Sequence, residues 1–194
     1  MINFRSAGLT LAAILATASP ALATGCDAWP QFASSAPYLE PLSVPAKDIG
    51  GHLNGWEWSD GMQFASRLHG SELWLDITQF PGNATAAAAS RSVMQLGRIA
   101  DEDFATLVLA EGDAGLFSIS EPELRAIGCQ FIWGKEGGQN PIALMRDLYK
   151  ALRHYESGAP LSTGFNGSLL GDTNLALQLN NKIVLPQWAM SAVN

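Results

Sequence analysis

Residues 53–80, with the sequence LNGWEWSDGMQFASRLHGSELWLDITQF, decide the fold class expected of this chain. Three short apolar runs alternate with two turn-forming triplets, in the order 53–58, Ser59-Asp60-Gly61, 62–68, His69-Gly70-Ser71 and 73–80. Short apolar runs between glycine-containing turns are typical of antiparallel strands joined by tight connections. The stretch therefore predicts a three-stranded antiparallel meander.

The rest of the chain adds helices and further hairpins to this meander. Helical composition and apolar spacing occur in residues 84–100 and 140–157. Hairpin patterns occur in residues 104–119 and, around the turn sequence Asn180-Asn181, in residues 174–185. The chain is therefore expected to be built from blocks of strands and separate helices.

A short helix is predicted between the second hairpin and the helix of residues 140–157. Ser120 and Glu123 have the spacing of a capping box, and Gly128 is a typical helix end. Residues 129–133 are expected to form a strand, in preference to a continuation of that helix. We expect a single α+β domain, residues 52–194, with a mainly antiparallel sheet built from hairpins and a meander and with two to three helices packed on one face.

The first residues have the features of a removable secretory signal peptide. Arg5 precedes an apolar run at residues 7–16 that is well short of the roughly 20 residues needed to span a bilayer. Pro20 ends the apolar segment, and Ala21-Leu22-Ala23 has the small-x-small pattern of a cleavage site. We expect residues 1–23 to be removed, with cleavage near Ala23, and the protein to be periplasmic or secreted, from a bacterium.

Cys26 and Cys129 are the two cysteines of the chain. An oxidising compartment permits a disulfide between them, and the alternative is that both are unpaired. A further alternative is lipidation of Cys26, because residues 23–26 loosely resemble a bacterial lipobox. Ala23 departs from that pattern, which prefers a larger aliphatic residue, so a lipid anchor is less favoured. No stable transmembrane anchor is expected.

Residues 24–51 are expected to form an irregular arm on the domain, because they contain Pro30, Pro37, Pro41 and Pro45 without any sustained apolar period. The chain is acidic, with a formal net charge of -7, and has no cluster of Lys or Arg. Nucleic acid is therefore not an expected partner. An envelope protein, a glycan or a small molecule is therefore the expected partner.

Two histidines and a carboxylate form a candidate metal site. If the meander turns at Asp60, His52 falls opposite Leu68 and beside His69, and Glu72 begins the next strand at the same end. Imidazole and carboxylate groups are ligands that divalent metals accept in proteins. We therefore hypothesise that His52, His69 and Glu72 form a metal site. The alternative is that both histidines lie in solvated turns.

Three tryptophans form a candidate ligand-binding row. Trp56 and Trp58 are two residues apart and would share one face of a strand, and Trp74 lies in the third strand of the meander. Exposed tryptophans can stack on sugar rings or anchor a partner. The alternative is that they belong to the core beneath the helices.

The segment 162–174 is the third candidate site, because it is dense in glycine, hydroxyl and amide groups. Ser168 is a candidate nucleophile if His154 and Asp172 lie beside it. The spacing of these residues does not specify that geometry, and motifs of serine hydrolases, P-loops and zincins are not found in the sequence.

We therefore expect an exported, non-catalytic binding or interaction protein of the cell envelope, with no cofactor and an unidentified ligand. The alternative is an envelope hydrolase or metal-dependent enzyme that uses His154, Ser168 and Asp172, or else the His52, His69 and Glu72 set. Fold class alone does not decide between them.

Overall fold

A computed structural model describes Cys26 and residues 43–101, 104–131 and 141–193. Within these residues the sheet has five strands in the spatial order β1-β2-β3-β4-β5. Their bounds are Gln63–His69 (β1), Glu72–Gln79 (β2), Thr106–Glu111 (β3), Ala114–Ser120 (β4) and Arg153–His154 (β5). Neighbouring strands are antiparallel except β2 and β3, which are parallel. The expected α+β class with a mainly antiparallel sheet is confirmed.

Six α-helices lie in the described chain outside the strands. Their bounds are Ile49–Asn54 (α1), Ala86–Ile99 (α2), Glu121–Gly128 (α3), Pro141–Ala151 (α4), Leu169–Leu179 (α5) and Leu185–Trp188 (α6). Helix α2 joins β2 to β3, and such a crossover is what allows two consecutive strands to run parallel. None of the helices in the described ranges is long and apolar enough to cross a membrane. The predicted signal peptide, and the proline-rich arm as far as residue 42 except Cys26, lie outside the described residues.

One face of the sheet forms the main core. Alternate residues of the three central strands point to it, because side chains alternate between the two faces of a strand. These residues are Leu73, Leu75, Ile77, Leu107, Leu109, Phe117 and Ile119, and they share one buried cluster with apolar residues of all six helices. The second, smaller cluster on the opposite face consists of Trp74, Val108 and Ala110 with Tyr155 packed on it, and no described helix contributes to it.

Helix α1 covers the outer edge of β1. The Asn54 side chain donates from Nδ2 to the Phe64 carbonyl at 3.1 Å and accepts the Phe64 N–H at 2.6 Å, as a neighbouring strand would. Gly50 lies so close to the strand that a Cβ there would be 2.8 Å from the Ser66 nitrogen. Covering an edge in this way protects a sheet from pairing with other chains.

The prediction that residues 53–58 form the first strand of a meander is wrong. Residues 53–58 instead contain the end of α1, and a 3-10 helix, Glu57–Ser59, follows. Ile49 and Leu53 are four residues apart and both buried, which is the spacing of one helix face rather than of a strand. The predicted hairpin of β1 and β2 is present, with His69 opposite Glu72 and Arg67 opposite Trp74.

The predicted C-terminal hairpin is also wrong. Helix α5 contains all of its first half, residues 174–179, and a π-helical turn, Asn180–Val184, leads into α6. Asn180 is buried, and its Oδ1 accepts hydrogen bonds from the Tyr149 hydroxyl at 2.5 Å and the Ser90 hydroxyl at 3.2 Å. Tertiary hydrogen bonds therefore override the local turn preference of Asn180-Asn181.

The region after α3 matches the prediction in part. Helix α3 begins after Ser120 and ends at Gly128, but Cys129 and Gln130 form a turn and do not begin a strand. Residues 132–133 lie outside the described residues. Cys26 and Cys129 form a disulfide with an Sγ–Sγ distance of 2.08 Å, which confirms the predicted bridge.

Candidate functional site

The sheet face opposite the main core carries an ordered set of aromatic and charged side chains. We call it the open face and define it by Arg67 and His69 of β1, Glu72, Trp74 and Asp76 of β2, and Tyr155, which follows β5. The register brings the strand residues together, since Arg67 pairs with Trp74 and His69 with Glu72. Odd-numbered residues of β1 and even-numbered residues of β2 thus share this face.

Trp74 is the centre of the open face. The His69 ring stacks on it with centroids 5.1 Å apart, and the Arg67 guanidinium carbon lies 5.1 Å from the Trp74 ring centroid. Tyr155 meets it edge-on, with centroids 5.4 Å apart and an interplanar angle of 75°. Contacts of these three kinds are each favourable, and together they hold the indole in one orientation.

Glu72 is oriented by two donors from the same cluster. Its Oε2 accepts hydrogen bonds from Trp74 Nε1 and from the Tyr155 hydroxyl, both at 3.0 Å. Its Oε1 has no hydrogen-bond partner among the described residues. The hydrogen bond to Glu72 is the main reason why the pKa of Tyr155 is raised above its usual value. The open face therefore presents a fixed carboxylate with one oxygen available to a ligand.

Gly115 of β4 makes room for Tyr155. A Cβ at this position would lie 2.4 Å from the Tyr155 Cδ1 atom, so the ring rests directly on the glycine. The Tyr155 N–H also bonds the Leu116 carbonyl at 3.0 Å. From this position the hydroxyl group reaches across the sheet to Glu72. A larger residue at position 115 is incompatible with this arrangement.

Arg67 and Asp76 form an ion pair beside Trp74. Arg67 also donates to the Gly112 carbonyl in the β3–β4 turn. Burial raises the pKa of the Asp76 carboxyl, although the hydrogen bond from Arg67 acts to lower it. Asp76 Oδ1 and Arg67 Nε are buried without a hydrogen-bond partner in the described structure. Asp76 is thus the buried member of the pair, whereas the Arg67 side chain remains partly exposed.

The three residues of the metal hypothesis are placed in different settings. His69 and Glu72 are direct cross-strand neighbours, whereas His52 belongs to α1, at the outer edge of β1. Across the described ranges, no group of three or more His, Cys, Asp or Glu residues is arranged to hold a metal ion. His69 instead stacks on Trp74.

The predicted row of tryptophans is not formed. Trp56 and Trp58 lie at the 3-10 helix after α1 rather than on a strand. Trp56 packs against the main core and meets Phe131 edge-on, with centroids 6.5 Å apart, while Trp58 is 39% exposed. Trp74 lies on the other side of the sheet and is the one member of the row that belongs to the open face.

Ser168 and Asp172 stabilise the loop before α5. Asp172 is buried and accepts hydrogen bonds from the Asn166 and Gly167 N–H groups at 3.0 and 2.9 Å. Ser168 is the N-cap of α5, and its Oγ accepts the Gly171 N–H at 3.2 Å. His154 pairs with Phe117 in the sheet. Asp172 N–H donates to the Ser168 carbonyl at 2.8 Å, but in the described structure no side-chain hydrogen bond joins His154, Ser168 and Asp172.

Sequence reasoning missed Arg67, Asp76 and Tyr155. The first two follow from the two-residue Gly70-Ser71 turn, which sets the register of the hairpin, so that signal was present. Tyr155 has no local signal, because its partner Glu72 is 83 residues away in sequence. No known protein family, curated protein or solved structure matches the chain.

Proposed function

We propose that this protein is an exported, non-catalytic binding protein that holds its ligand on the open face. The observation that carries the proposal is the ordered set of Glu72, Trp74 and Tyr155 on the sheet face that no described helix covers. Binding sites with side chains fixed in advance lose less conformational entropy when a ligand binds. An ordered polar and aromatic surface of this kind therefore suits recognition.

Export is supported by two independent features. The first 23 residues have the order of charge, apolar run and small residues that signal peptidases require. The Cys26–Cys129 disulfide is the kind of bond that persists in oxidising compartments. Both features favour a periplasmic or secreted protein.

A neutral glycan is the ligand class that we propose for the open face. Its hydroxyl groups would donate hydrogen bonds to Glu72 Oε1, which accepts none from the described chain. The exposed His69 ring, held flat on Trp74, offers a surface on which a sugar ring can rest. The acidic net charge of -7 does not favour an anionic ligand.

The test is binding of the purified, disulfide-bonded protein to neutral envelope polysaccharide, measured by co-sedimentation. Glu72→Gln and His69→Ala alter the open face, and Glu57→Gln and His52→Ala are matched controls in or beside α1. We expect the open-face variants to bind at least about ten-fold more weakly, which corresponds to roughly 1.4 kcal/mol. The controls are expected to bind like the wild type.

A photo-crosslinker at position 65 provides a second measurement, because Ala65 is an exposed residue on the same face of β1 and is not one of the residues that define the open face. Crosslinks to polysaccharide support the proposal. Crosslinks to a protein would show that the open face is a binding surface for protein and that the glycan assignment is wrong. If all four variants bind polysaccharide like the wild type, the binding site lies elsewhere on the molecule.

A further inference from the structure

The loop before α5 contains an asparagine that is followed directly by glycine. The sequence has two such dipeptides, Asn54-Gly55 and Asn166-Gly167. Because glycine has no Cβ, its backbone nitrogen is less shielded than that of any other residue. This nitrogen is therefore able to attack the side-chain amide carbon, Cγ, of the asparagine before it. Whether the attack takes place depends on the groups that surround each dipeptide, and these differ between the two.

A buried carboxylate is bonded to the nitrogen that would attack at Asn166-Gly167. Asn166 and Gly167 are exposed, whereas Asp172 is only 4% exposed. Asp172 Oδ2 accepts the Gly167 N–H at 2.9 Å, and Asp172 Oδ1 accepts the Asn166 N–H at 3.0 Å. A carboxylate within hydrogen-bond distance of a nucleophile can take its proton as a general base. Asp172 therefore has both the chemistry and the position of a base for Gly167.

The side-chain amide of Asn166 is arranged to be attacked. Its Oδ1 accepts the Ser168 N–H at 3.0 Å, and such a donor stabilises the negative charge that develops on this oxygen when Cγ becomes tetrahedral. Its Nδ2, the group that must leave, makes no hydrogen bond to the described residues. Gly167 has a φ of 89°, which glycine adopts without strain, and a Cβ there would meet no atom within 4 Å. The loop thus leaves room around the reacting atoms.

Asn54-Gly55 has the same sequence but different partners. Asn54 Nδ2 donates to the Phe64 carbonyl at 3.1 Å, so the leaving group is held in place. The Gly55 N–H bonds the His52 carbonyl at 3.1 Å, and a peptide carbonyl is a much weaker base than a carboxylate. Asn54 is therefore an internal reference for Asn166 within one chain.

We propose that Asn166 is a self-modifying residue, which loses its amide in an intramolecular reaction with Gly167 as nucleophile and Asp172 as general base. The bond from the Gly167 nitrogen to Asn166 Cγ forms while the proton of that nitrogen passes to Asp172 Oδ2. The Cγ–Nδ2 bond then breaks, and the proton moves from Asp172 to Nδ2, which leaves as ammonia. The product is a succinimide. One water molecule opens this ring and leaves aspartate or isoaspartate at position 166.

The reaction changes the loop that holds the start of α5. Two hydrogen bonds to Asp172 come from the residues that react, and the succinimide no longer has the Gly167 N–H. Opening of the ring leaves a second carboxylate near Asp172, and like charges in such proximity repel each other. The isoaspartyl product also adds one carbon atom to the main chain. Modified molecules should therefore hold the start of α5 less firmly than new ones.

The test is incubation of the purified, disulfide-bonded protein at neutral pH, with peptide mass spectrometry to follow the loss of the amide at Asn166 and at Asn54. The same protein unfolded in guanidinium chloride gives the rate of each dipeptide without its folded surroundings. We expect folding to accelerate the reaction at Asn166 at least about ten-fold and to slow it at Asn54. A rate at Asn166 that is no higher in the folded protein than in the unfolded protein overturns the proposal.

Asp172→Asn tests the role of the base. We expect this variant to react at Asn166 at least about ten-fold more slowly than the folded wild type. If Asp172 only restrains the loop, its replacement instead raises the rate, and the proposal is overturned.

Thr173→Ala is the matched control, because Thr173 Oγ1 bonds the Leu169 carbonyl at 2.7 Å in the first turn of α5 and is not one of the reacting groups. We expect it to react at Asn166 like the wild type. Circular dichroism checks that both variants keep their helices. Equal slowing by Thr173→Ala and Asp172→Asn also overturns the proposal. The comparison of folded with unfolded wild type does not depend on the stability of either variant.

Discussion

The two faces of strand β2 differ in what holds them together. Leu73, Leu75 and Ile77 point to the main core, where they share one buried apolar cluster with residues of other strands and of the helices. Glu72, Trp74 and Asp76 point to the open face, where hydrogen bonds, an ion pair and ring contacts link them to Arg67, His69 and Tyr155. The core face is stabilised mainly by the removal of apolar area from water, whereas the open face depends on specific directions and distances.

This difference has a functional consequence. Apolar packing tolerates changes that conserve volume, so the core face specifies the fold without specifying a ligand. Hydrogen bonds to Glu72 fix the positions of individual atoms, and a site needs such positions for recognition. Substitutions on the core face should therefore reduce stability, and substitutions on the open face should mainly reduce binding.

The largest expected effect is that of the disulfide, which lies on the helix side of the sheet. Replacing both Cys26 and Cys129 by Ser removes a cross-link between residues 103 positions apart. For a loop of that length the loss is about 4 kcal/mol, because the unfolded chain gains entropy. Urea unfolding at neutral pH measures the change. Polysaccharide binding by the folded double variant should be unchanged, and a loss of binding would contradict the separation of the two faces.

Truncations on the two faces give the next largest effects. Leu75 on the core face and Val108 beneath the open face are both fully buried. Leu75→Ala should cost about 3 kcal/mol, since it leaves a cavity in a close-packed core. Val108→Ala removes fewer carbon atoms, and in the described structure Val108 is covered only by the side chains of the open face. This substitution should therefore cost about 1.5 kcal/mol. Urea unfolding compares them, and an equal loss per carbon atom removed would show that the two faces are packed alike.

Much of the fold follows from local signals. The two-residue turns Gly70-Ser71 and Gly112-Asp113 predict the β1–β2 and β3–β4 hairpins, and Ser120 and Gly128 predict the bounds of α3. The parallel pairing of β2 with β3 was not predicted. A crossover through a helix and a long hairpin connection can have similar lengths, so the length of the segment between two strands does not tell whether the strands are parallel. Parallel pairing requires the chain to return to the end of the sheet at which β2 begins, so that Thr106 at the start of β3 pairs with Glu72.

The errors arose where long-range contacts decide the structure. Residues 49–54 contain two glycines and have a weak helical signal, but Asn54 and Gly50 gain contacts with β1 that only a helix at its edge provides. Asn180 has the composition of a turn and the environment of a core residue. On the open face, His69 and Glu72 were singled out from sequence as parts of a metal site, and Trp74 as part of a separate row of tryptophans. Their joint arrangement became visible only with Tyr155.

Gly115→Ala should disturb the open face while leaving the core intact. The added methyl group would lie 2.4 Å from Tyr155 Cδ1, so the ring must move away from Glu72 and Trp74. We expect a stability loss of about 1 kcal/mol, a change in tryptophan fluorescence and weaker polysaccharide binding. Gly82→Ala is the control, because a Cβ at position 82 has no atom within 4 Å. Unchanged fluorescence in Gly115→Ala would show that Tyr155 does not rest on this glycine.

Tyr155→Phe is the smallest and most selective change, because it removes one hydroxyl group from the open face. At neutral pH it should cost no more than about 1 kcal/mol, since the lost hydrogen bond to Glu72 is partly accessible to water. The pKa of Tyr155 is raised in the folded protein, first by that hydrogen bond and then by burial. The unfolded chain therefore ionises first as the pH rises past about 10.

Below that pH both states carry a neutral phenol, so the contribution of Tyr155 to stability is complete. Above it, the unfolded state loses its proton while the folded state keeps it, so the contribution declines until the folded phenol ionises as well. Urea unfolding of the wild type and Tyr155→Phe at several pH values between about 7 and 11 measures this difference. The difference in unfolding free energy between the wild type and Tyr155→Phe should become smaller as the pH rises above about 10. Because the two proteins differ only at position 155, the contributions of all other residues cancel in the comparison. If the difference in unfolding free energy between the two proteins does not change with pH, the Tyr155 hydroxyl does not donate a hydrogen bond to Glu72. Trp74 Nε1 would then be the only described donor to the Glu72 carboxylate.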